Sequence, residues 1–401
     1  MKPHLLYLGG EDHHLRIPAM LAIRNHGFRV TAAGTGDPAP FVQAGIEYRR
    51  FHFDRFISPL ADWAAIKTIS EILVEVQPDL AQSFDTKPSL LLPLAARSAP
   101  GVLVIRTING RAFLYSSRSP VALTLRLVYR ALHKMAARTA AATVFEIRDD
   151  HAFFERHGMA GKRAVVIPGA GVDVDGFERA LTSGPSPAQL RRELGLGDAK
   201  VVITVTRMTR QKGLPALLDA AALVHEVRPD VRFLLVGPRE SEGPLAIAEA
   251  EIARHAAYVK AIGLRSDVPA LLALADVFAF PTEYREGVPR VLLEAALAGV
   301  PIVTTSMPGC QDVIRDGWNG FLVPPRVPHM MAARILDLLR DPETGRTMAG
   351  RAAERVRQEF ALGTIVARHA ALYAELIDRS AKSRLKNDRL ERETWGREAC
   401  S

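Results

Sequence analysis

The sequence predicts an α/β protein made of two parallel-sheet domains. Three observations carry that expectation. Short apolar runs bounded by turn residues, such as Asp276–Pro281 and Val300–Val303, read as strands buried on both faces. They alternate with longer helical stretches, the order that feeds a parallel sheet. At 401 residues the chain is long enough for two separate cores, and a Ser/Pro/Gly-rich stretch at Thr182–Pro187 stands between the two sets of alternating elements.

In chain order, His4–Gly10 reads as a strand, His14–His26 as a helix closed by Gly27, and Phe28–Ala33 as a second strand. Gly9-Gly10 either lets backbone approach a phosphate or is a plain tight turn. His13 and His14 beside it are read as surface histidines, with a stand-in for a catalytic base as the other reading. Gly34-Thr35-Gly36 lacks the third glycine of a dinucleotide fingerprint, and Pro38 intervenes, so that motif is rejected. A helix over Leu60–Val76, a strand at Asp79–Ser83, a helix over Lys87–Arg97 and a strand at Val102–Thr107 lead to the loop Ile108-Asn109-Gly110-Arg111. Loops at a strand's carboxyl end are where such sheets contact ligands.

Pro120–Thr139 reads as a helix in which Arg126, Arg130, Lys134 and Arg138 recur every four residues, with Leu123, Leu127, Val128, Leu132 and Met135 between them. Such a helix either lies in an anionic membrane interface or packs its apolar side inward and leaves the basic side in water. Ala141–Glu146 and Ala164–Pro168 are the last strands of this half. Asp173-Val174-Asp175 has the form of a metal-binding Asp-x-Asp motif; it follows Pro-Gly-Ala-Gly at a hinge segment, and the match is read as accidental, with no metal required.

A new α/β domain opens with the strand Lys200–Thr206. The loop Arg207–Gly213 follows, placing Arg207 and Lys212 at the strand's carboxyl end, where two cations can neutralise a diphosphate. Strands at Val231–Gly237 and Tyr258–Gly263 come next. Leu264 is either a base-contacting position or part of the core, and Asp267 is expected to cap the helix Val268–Leu274. The stretch 276–305 then reads as strand, polar loop, helix and strand. Glu286-Gly287-Val288-Pro289 opens the helix, and Arg290 adds a cation one turn in. Free N–H groups and the dipole at a helix start suit a diphosphate. Glu286 and Glu294 then flank that anion site, or else Glu286 only favours the dipole and Glu294 is a solvated helix residue. After the turn Gly317–Gly320 come a strand at Phe321–Val323 and helices at Pro328–Leu339, Pro342–Glu359 and Leu362–Asp378. The charged tail 380–401 is read as frayed or as a helix extension.

Glu-x7-Glu with Gly after the first Glu, followed by Glu-Ala-x-x-x-Gly-x-Pro, resembles the donor-site signature of the family 4 glycosyltransferases. Tyr284–Arg290 and Pro308-Gly309-Cys310 resemble the branch that acts on polyprenyl-diphosphate-linked saccharides. The resemblance spans nearly the whole chain and is strongest in the second half. It implies two Rossmann-like domains facing across a cleft (the GT-B type), with a C-terminal helix returning to the first. The domains are expected at 1–172 (acceptor-binding), 173–198 (hinge) and 199–360 (nucleotide-sugar-binding), with the returning helix at 362–378.

The implied reaction moves a hexose or N-acetylhexosamine, with retention, from a UDP-linked donor to a lipid-linked saccharide in surface polysaccharide or glycan synthesis. Glu286 is then expected on the sugar hydroxyls, Glu294 on the ribose, and Arg207 and Lys212 on the diphosphate. Gly287, Val288, Pro289 and Arg290 lie beside that diphosphate, and Gly9, Gly10, Leu264 and Asn109 make further donor contacts. Many relatives carry His-Gly where this chain has Asn109-Gly110, and an amide cannot take a proton, so no strong base is visible. A route in which the leaving diphosphate accepts the acceptor's proton needs none. Arg111, Arg118 and Arg126 are placed to hold the acceptor's diphosphate. Arg126, Arg130 and Lys134 are placed to meet the membrane. A nucleotide-sugar epimerase of the same architecture and a non-catalytic membrane-surface binding protein are the alternatives.

Composition agrees with a soluble globular chain. Cys310 and Cys400 offer no disulfide framework or metal spacing, which points to a reducing cytoplasm. Nothing reads as a signal peptide or a membrane span. The net charge of +8 calls for an anionic partner. Aromatics are few and no nucleic-acid-binding module is present, so phosphorylated substrates and the inner face of an anionic membrane, contacted peripherally, are the expectation. The donor is a substrate, and no cofactor is expected.

Overall fold

The computed structural model describes residues 2–54, 58–111, 120–169 and 171–398. The chain divides into two compact units, Met1–Ala170 with Ile365–Ser401, and Gly171–Thr364.

The first unit runs β1 (His4–Gly9), α1 (Ile17–Asn25), β2 (Arg29–Gly34), α2 (Ala39–Gln43), β3 (Glu47–Arg50), α3 (Pro59–Val76), β4 (Leu80–Ser83), α4 (Pro88–Ala95), β5 (Leu103–Ile108), α5 (Pro120–Thr139), β6 (Ala142–Phe145), α6 (Arg148–Arg156) and β7 (Ala164–Val166). Its seven-stranded sheet has the order β3-β2-β1-β4-β5-β6-β7, every pairing parallel. The central strands are apolar because helices cover both faces; Leu5, Leu6 and Leu8 are fully buried, each worth about 1.5–3 kcal/mol of transfer free energy. The strand β3 has no apolar run to announce it. It is the sheet's edge, and Glu47-Tyr48-Arg49-Arg50 suits an edge that charged side chains protect from stray pairing.

The second unit runs α7 (Val174–Ser183), α8 (Pro187–Leu194), β8 (Lys200–Val205), α9 (Leu214–Val227), β9 (Val231–Val236), α10 (Glu249–Ala253), β10 (Val259–Gly263), α11 (Val268–Ala273), β11 (Val277–Phe280), α12 (Arg290–Leu297), β12 (Ile302–Thr305), α13 (Pro308–Val313), β13 (Phe321–Val323), α14 (Pro328–Arg340) and α15 (Pro342–Arg355). Its six strands are again all parallel, in the order β10-β9-β8-β11-β12-β13. Both sheets are therefore doubly wound, and each reverses its strand order at one place: β1/β4 in the first unit and β8/β11 in the second. Such a switch point opens a crevice at the strands' carboxyl ends, where ligands of this architecture bind.

Two local expectations change, at the hinge and at Asp267, and the helix-extension reading of the tail is the one the structure takes. Residues 173–198, expected as a hinge, fold into α7 and α8, whose Phe177, Leu190 and Leu194 join the second unit's core. Asp173 caps α7 by accepting from the Gly176 N–H at 3.0 Å, and Ser186 with Gln189 forms a capping box on α8. Asp267 precedes α11 without capping it; its carboxylate is taken by Arg265 in two bonds of 2.9 and 2.7 Å. The last helix, α16 (Leu362–Glu398), runs far past Asp378. Its Tyr373 is buried in the first unit, where the Tyr7 and Tyr373 hydroxyls meet at 2.9 Å and Tyr373 also donates to Gln82.

Candidate functional site

In the second unit, the loop after β8 and the loop after β11 meet at the switch point. Lys212 extends from the first and Glu286 from the second, and the ammonium lies 2.9 and 2.8 Å from the two carboxylate oxygens. Thr282 donates to the same carboxylate at 3.2 Å. Close approach is enforced by Gly213, whose φ of +73° is left-handed and whose absent Cβ would lie 1.9 Å from the Pro281 carbonyl oxygen. Any larger residue would push Lys212 away from the strand end. Lys212 is nearly buried, at 8% exposure, and its ammonium sits 5.7 Å from the centre of the Phe280 ring.

The other expected cations are also paired. Arg207, mostly exposed, lies 3.1 Å from Glu242, and Arg290 lies 3.4 Å from Glu294 one turn along α12. Burial raises the Glu294 carboxyl above its usual range, and Arg290 partly offsets that. The helix α12 begins at Arg290 with Pro289 as its cap residue, so Glu286, Gly287 and Val288 belong to the preceding loop. Leu264 is strongly exposed, which removes its core reading. Cys310 sits behind the pair, its thiol pushed up to about 12 by burial and in electrostatic reach of Glu286 and Lys212.

The first unit's switch point has the opposite polarity. Asp85, just past β4, accepts from the Gly10 backbone N–H at 2.9 Å and from the Asn109 side-chain amide at 3.0 Å. Gly10 and Asn109, both expected to contact the donor, are thereby tied to one carboxylate. Gly9 has a packing reason: a Cβ there would lie 2.1 Å from His13 Nδ1. His13 is buried, contrary to its reading as a surface residue. Burial and nearby Arg16 lower its pKa to about 3, so it is a neutral core side chain and no stand-in for a base. His14 is exposed.

Around Asp85 the same edge carries residues that sequence reasoning missed. Glu146, at the end of β6, lies 3.7 Å from Arg16, and its carboxyl is raised by burial, a shift that Arg16 opposes and that Asp85 and Asp150 add to. Arg111 was expected on an acceptor diphosphate. In this structure it is held by Asp150 at 2.9 Å and by Asp149, and stacks 4.2 Å above the Phe153 ring. Arg118 lies outside the described residues. Position after a strand end was the one available signal for Asp85 and Glu146.

The helix α5 turns an unexpected side inward. Tyr129, His133, Ala136 and Ala137 are buried, whereas Leu123, Leu127, Val128 and Leu132 are exposed, Leu127 at 68%. Arg126 and Arg130 are half-buried and Lys134 exposed. Both readings of this helix placed its apolar residues against protein or lipid, and in this unit protein does not cover them. Leu60 and Trp63, at the start of α3, are likewise exposed. No described helix is long and apolar enough to cross a membrane.

Two family models match the chain: "Glycosyl transferase 4-like domain" over residues 9–170 and "Glycosyl transferases group 1" over residues 199–341, together well over half its length. Among curated proteins, the chain is 24% identical to the N,N'-diacetylbacillosaminyl-diphospho-undecaprenol alpha-1,3-N-acetylgalactosaminyltransferase of Campylobacter jejuni, covering 93% of this chain and 98% of that protein. It is 26% identical to the UDP-Gal:alpha-D-GlcNAc-diphosphoundecaprenol alpha-1,3-galactosyltransferase of Escherichia coli, over 67% of this chain and 68% of that one. Among solved structures, Anabaena Alr3699/HepE in complex with UDP superposes with a TM-score of 0.76 at 21% identity, covering 93% of this chain and 100% of that chain.

Proposed function

Given that the chain belongs to the group 1 glycosyltransferases with a 4-like amino-terminal domain, we propose that it transfers a hexose or N-acetylhexosamine from a UDP-linked donor to a lipid-linked saccharide, with retention. It is an enzyme of the hexosyltransferase type. The observation that carries the reading is the Lys212–Glu286 pair at the second unit's switch point.

The pair suits a UDP-sugar because its members answer to different parts of one molecule. A diphosphate arriving beside Lys212 draws on an ammonium that Glu286 already holds in place, at little cost in side-chain entropy. As the glycosidic bond breaks, charge gathers on the departing diphosphate, and Lys212 and Arg207 stabilise it more in the transition state than in the ground state. Glu286, its carboxylate steadied by Lys212 and Thr282, accepts from sugar hydroxyls. Glu294, partly buried two turns further on, is suited to the ribose. Gly287 and Val288 in the loop and the start of α12 supply backbone N–H groups for the remaining phosphate oxygens. The leaving diphosphate takes the acceptor's proton, so the reaction asks for no separate base.

The relatives that act on undecaprenol-linked substrates support a lipid-linked acceptor. The bare apolar side of α5, edged by Arg126, Arg130 and Lys134, suits an anionic lipid surface on which that acceptor resides. Peripheral contact with the inner face of the cytoplasmic membrane follows from this reading.

A panel of nucleotide sugars assayed with polyprenyl-diphosphate saccharides, alongside UDP titration by calorimetry, tests the proposal. One UDP-sugar is expected to be consumed only when acceptor is present. Absence of UDP binding sinks the reading, and turnover of donor without acceptor favours an epimerase or hydrolase.

A further inference from the structure

Asp85 combines three features that nothing in the transferase reading uses. It stands at the first unit's switch point, immediately past β4 and beside the end of β1. Its backbone is left-handed, with φ +72°, a conformation that among the described non-glycine residues only Gln77 and Arg326 share. Its carboxylate joins two loops: one oxygen accepts from Gly10 at 2.9 Å and the other from the Asn109 amide at 3.0 Å.

A carboxylate has only acceptors to offer, so the direction of these bonds is settled. Gly10 spends its backbone N–H on Asp85, and Asn109 spends one of its two amide N–H donors there. The carboxamide of Asn109 is then fixed with its nitrogen toward Asp85 and its carbonyl oxygen on the opposite branch, and among the described residues that oxygen has no hydrogen-bond partner. Glu146 nearby adds a second carboxyl to the same edge. The edge therefore offers acceptors. Acceptors suit hydroxyls, and they repel phosphate.

We propose that Asp85 is a positioning residue for the transfer reaction: it orients Asn109 so that the carboxamide oxygen accepts from a saccharide hydroxyl. The hydroxyl belongs to the saccharide that receives the sugar. The inference rests on the transferase reading.

Asp85→Asn is the informative variant, because Asn tolerates the left-handed backbone and changes only the polarity. It puts an amide where the carboxylate was, and Asn109 turns its own N–H outward to accommodate it. Melting at the wild-type temperature confirms folding. The UDP dissociation constant of the second unit is expected to stay within about twofold, while kcat falls about ten- to hundredfold, the usual penalty for a misoriented contact. Combining Asp85→Asn with Asn109→Asp reverses the bond yet again turns an acceptor outward, and most of the lost kcat returns. A rise in the KM of the acceptor is expected alongside the lower kcat; a rise in the KM of the donor with that of the acceptor unchanged takes the hydroxyl away from the acceptor and overturns the assignment. Wild-type kcat in Asp85→Asn, or a double variant as impaired as the single, overturns the proposal. Should the wild type bind no UDP or consume no donor, the transferase reading fails instead. The Asn109 side-chain amide resonances then decide the present inference, shifting in Asp85→Asn if the bond orients the group and staying put if it does not.

Discussion

The two switch points are built on the same topology and present different groups at it. In the second unit, β8 and β11 end in Lys212 and Glu286, an ion pair with further cations at Arg207 and Arg290. In the first, β1 and β4 end in Gly10 and Asp85, a backbone donor held by a carboxylate, with Glu146 close by. Parallel-sheet topology supplies a crevice and leaves its charge open; the loop residues decide whether it takes a diphosphate or hydroxyls. A transferase needs both kinds of surface, because its donor carries a diphosphate and its acceptor presents a hydroxyl.

The largest expected effect tests the cationic side. Lys212→Ala removes the ammonium from the diphosphate and leaves Glu286 without its partner; kcat/KM for the donor is expected to fall roughly 10²- to 10³-fold, as for loss of one charge-stabilising group. Steady-state assays at saturating acceptor measure it. If the loss stays under threefold, the second switch point is not where charge is stabilised.

Acid separates the units next. Every buried histidine among the described residues lies in the first unit, at His4, His13, His133 and His369. Burial holds His13 and His369 at about 3 and His133 well below its ordinary value. Between about pH 6.5 and 3 the unfolded chain binds protons that the folded unit refuses, so stability falls as pH drops, by about 1.4 kcal/mol per pH unit for each such histidine. Raised carboxyls act in the opposite sense, losing stability as pH climbs above the ordinary carboxyl range. Glu146 therefore offsets part of the loss in the first unit, and Glu294 favours the second unit in acid. Hydrogen exchange at pH 7 and 4.5 is expected to show the first unit opening before the second. The reverse order would break the contrast.

A smaller effect concerns the membrane, which the first unit alone is proposed to meet. Replacing Leu127 and Val128 together by Glu is expected to weaken flotation with anionic vesicles about tenfold or more, since each apolar side chain is worth roughly 1.5–3 kcal/mol when buried. Unchanged partitioning removes α5 from the interface. The smallest effect falls on a residue that mimics a metal motif. Asp173→Ala deletes the α7 cap, costing about 1 kcal/mol in denaturant titration while turnover stays at the wild-type level. Lost turnover without lost stability would revive the metal-motif reading of Asp173.

The chain's α/β alternation, its two sheets and the position of Lys212 and Glu286 after strand ends were legible from the sequence. Buried parallel strands leave continuous apolar runs, and Glu286 through Glu294 sit in one short string with recognisable spacing. What stayed hidden depended on neighbours far along the chain. His13 looked like a surface residue until the missing Cβ of Gly9 gave its ring a place in the core. The helix α5 showed its apolar residues plainly, but only packing revealed that Tyr129 and His133 face inward and Leu127 outward.

Composition, periodicity and local motifs therefore determined the class of fold and the family of this protein. Tertiary structure alone decided the polarity of the first unit's edge. Gly10 and Asp85 lie 75 positions apart and become partners because β4 is laid beside β1. Sequence patterns report on residues within a few turns of one another. A hydrogen bond across a switch point exists only once strand order has been chosen.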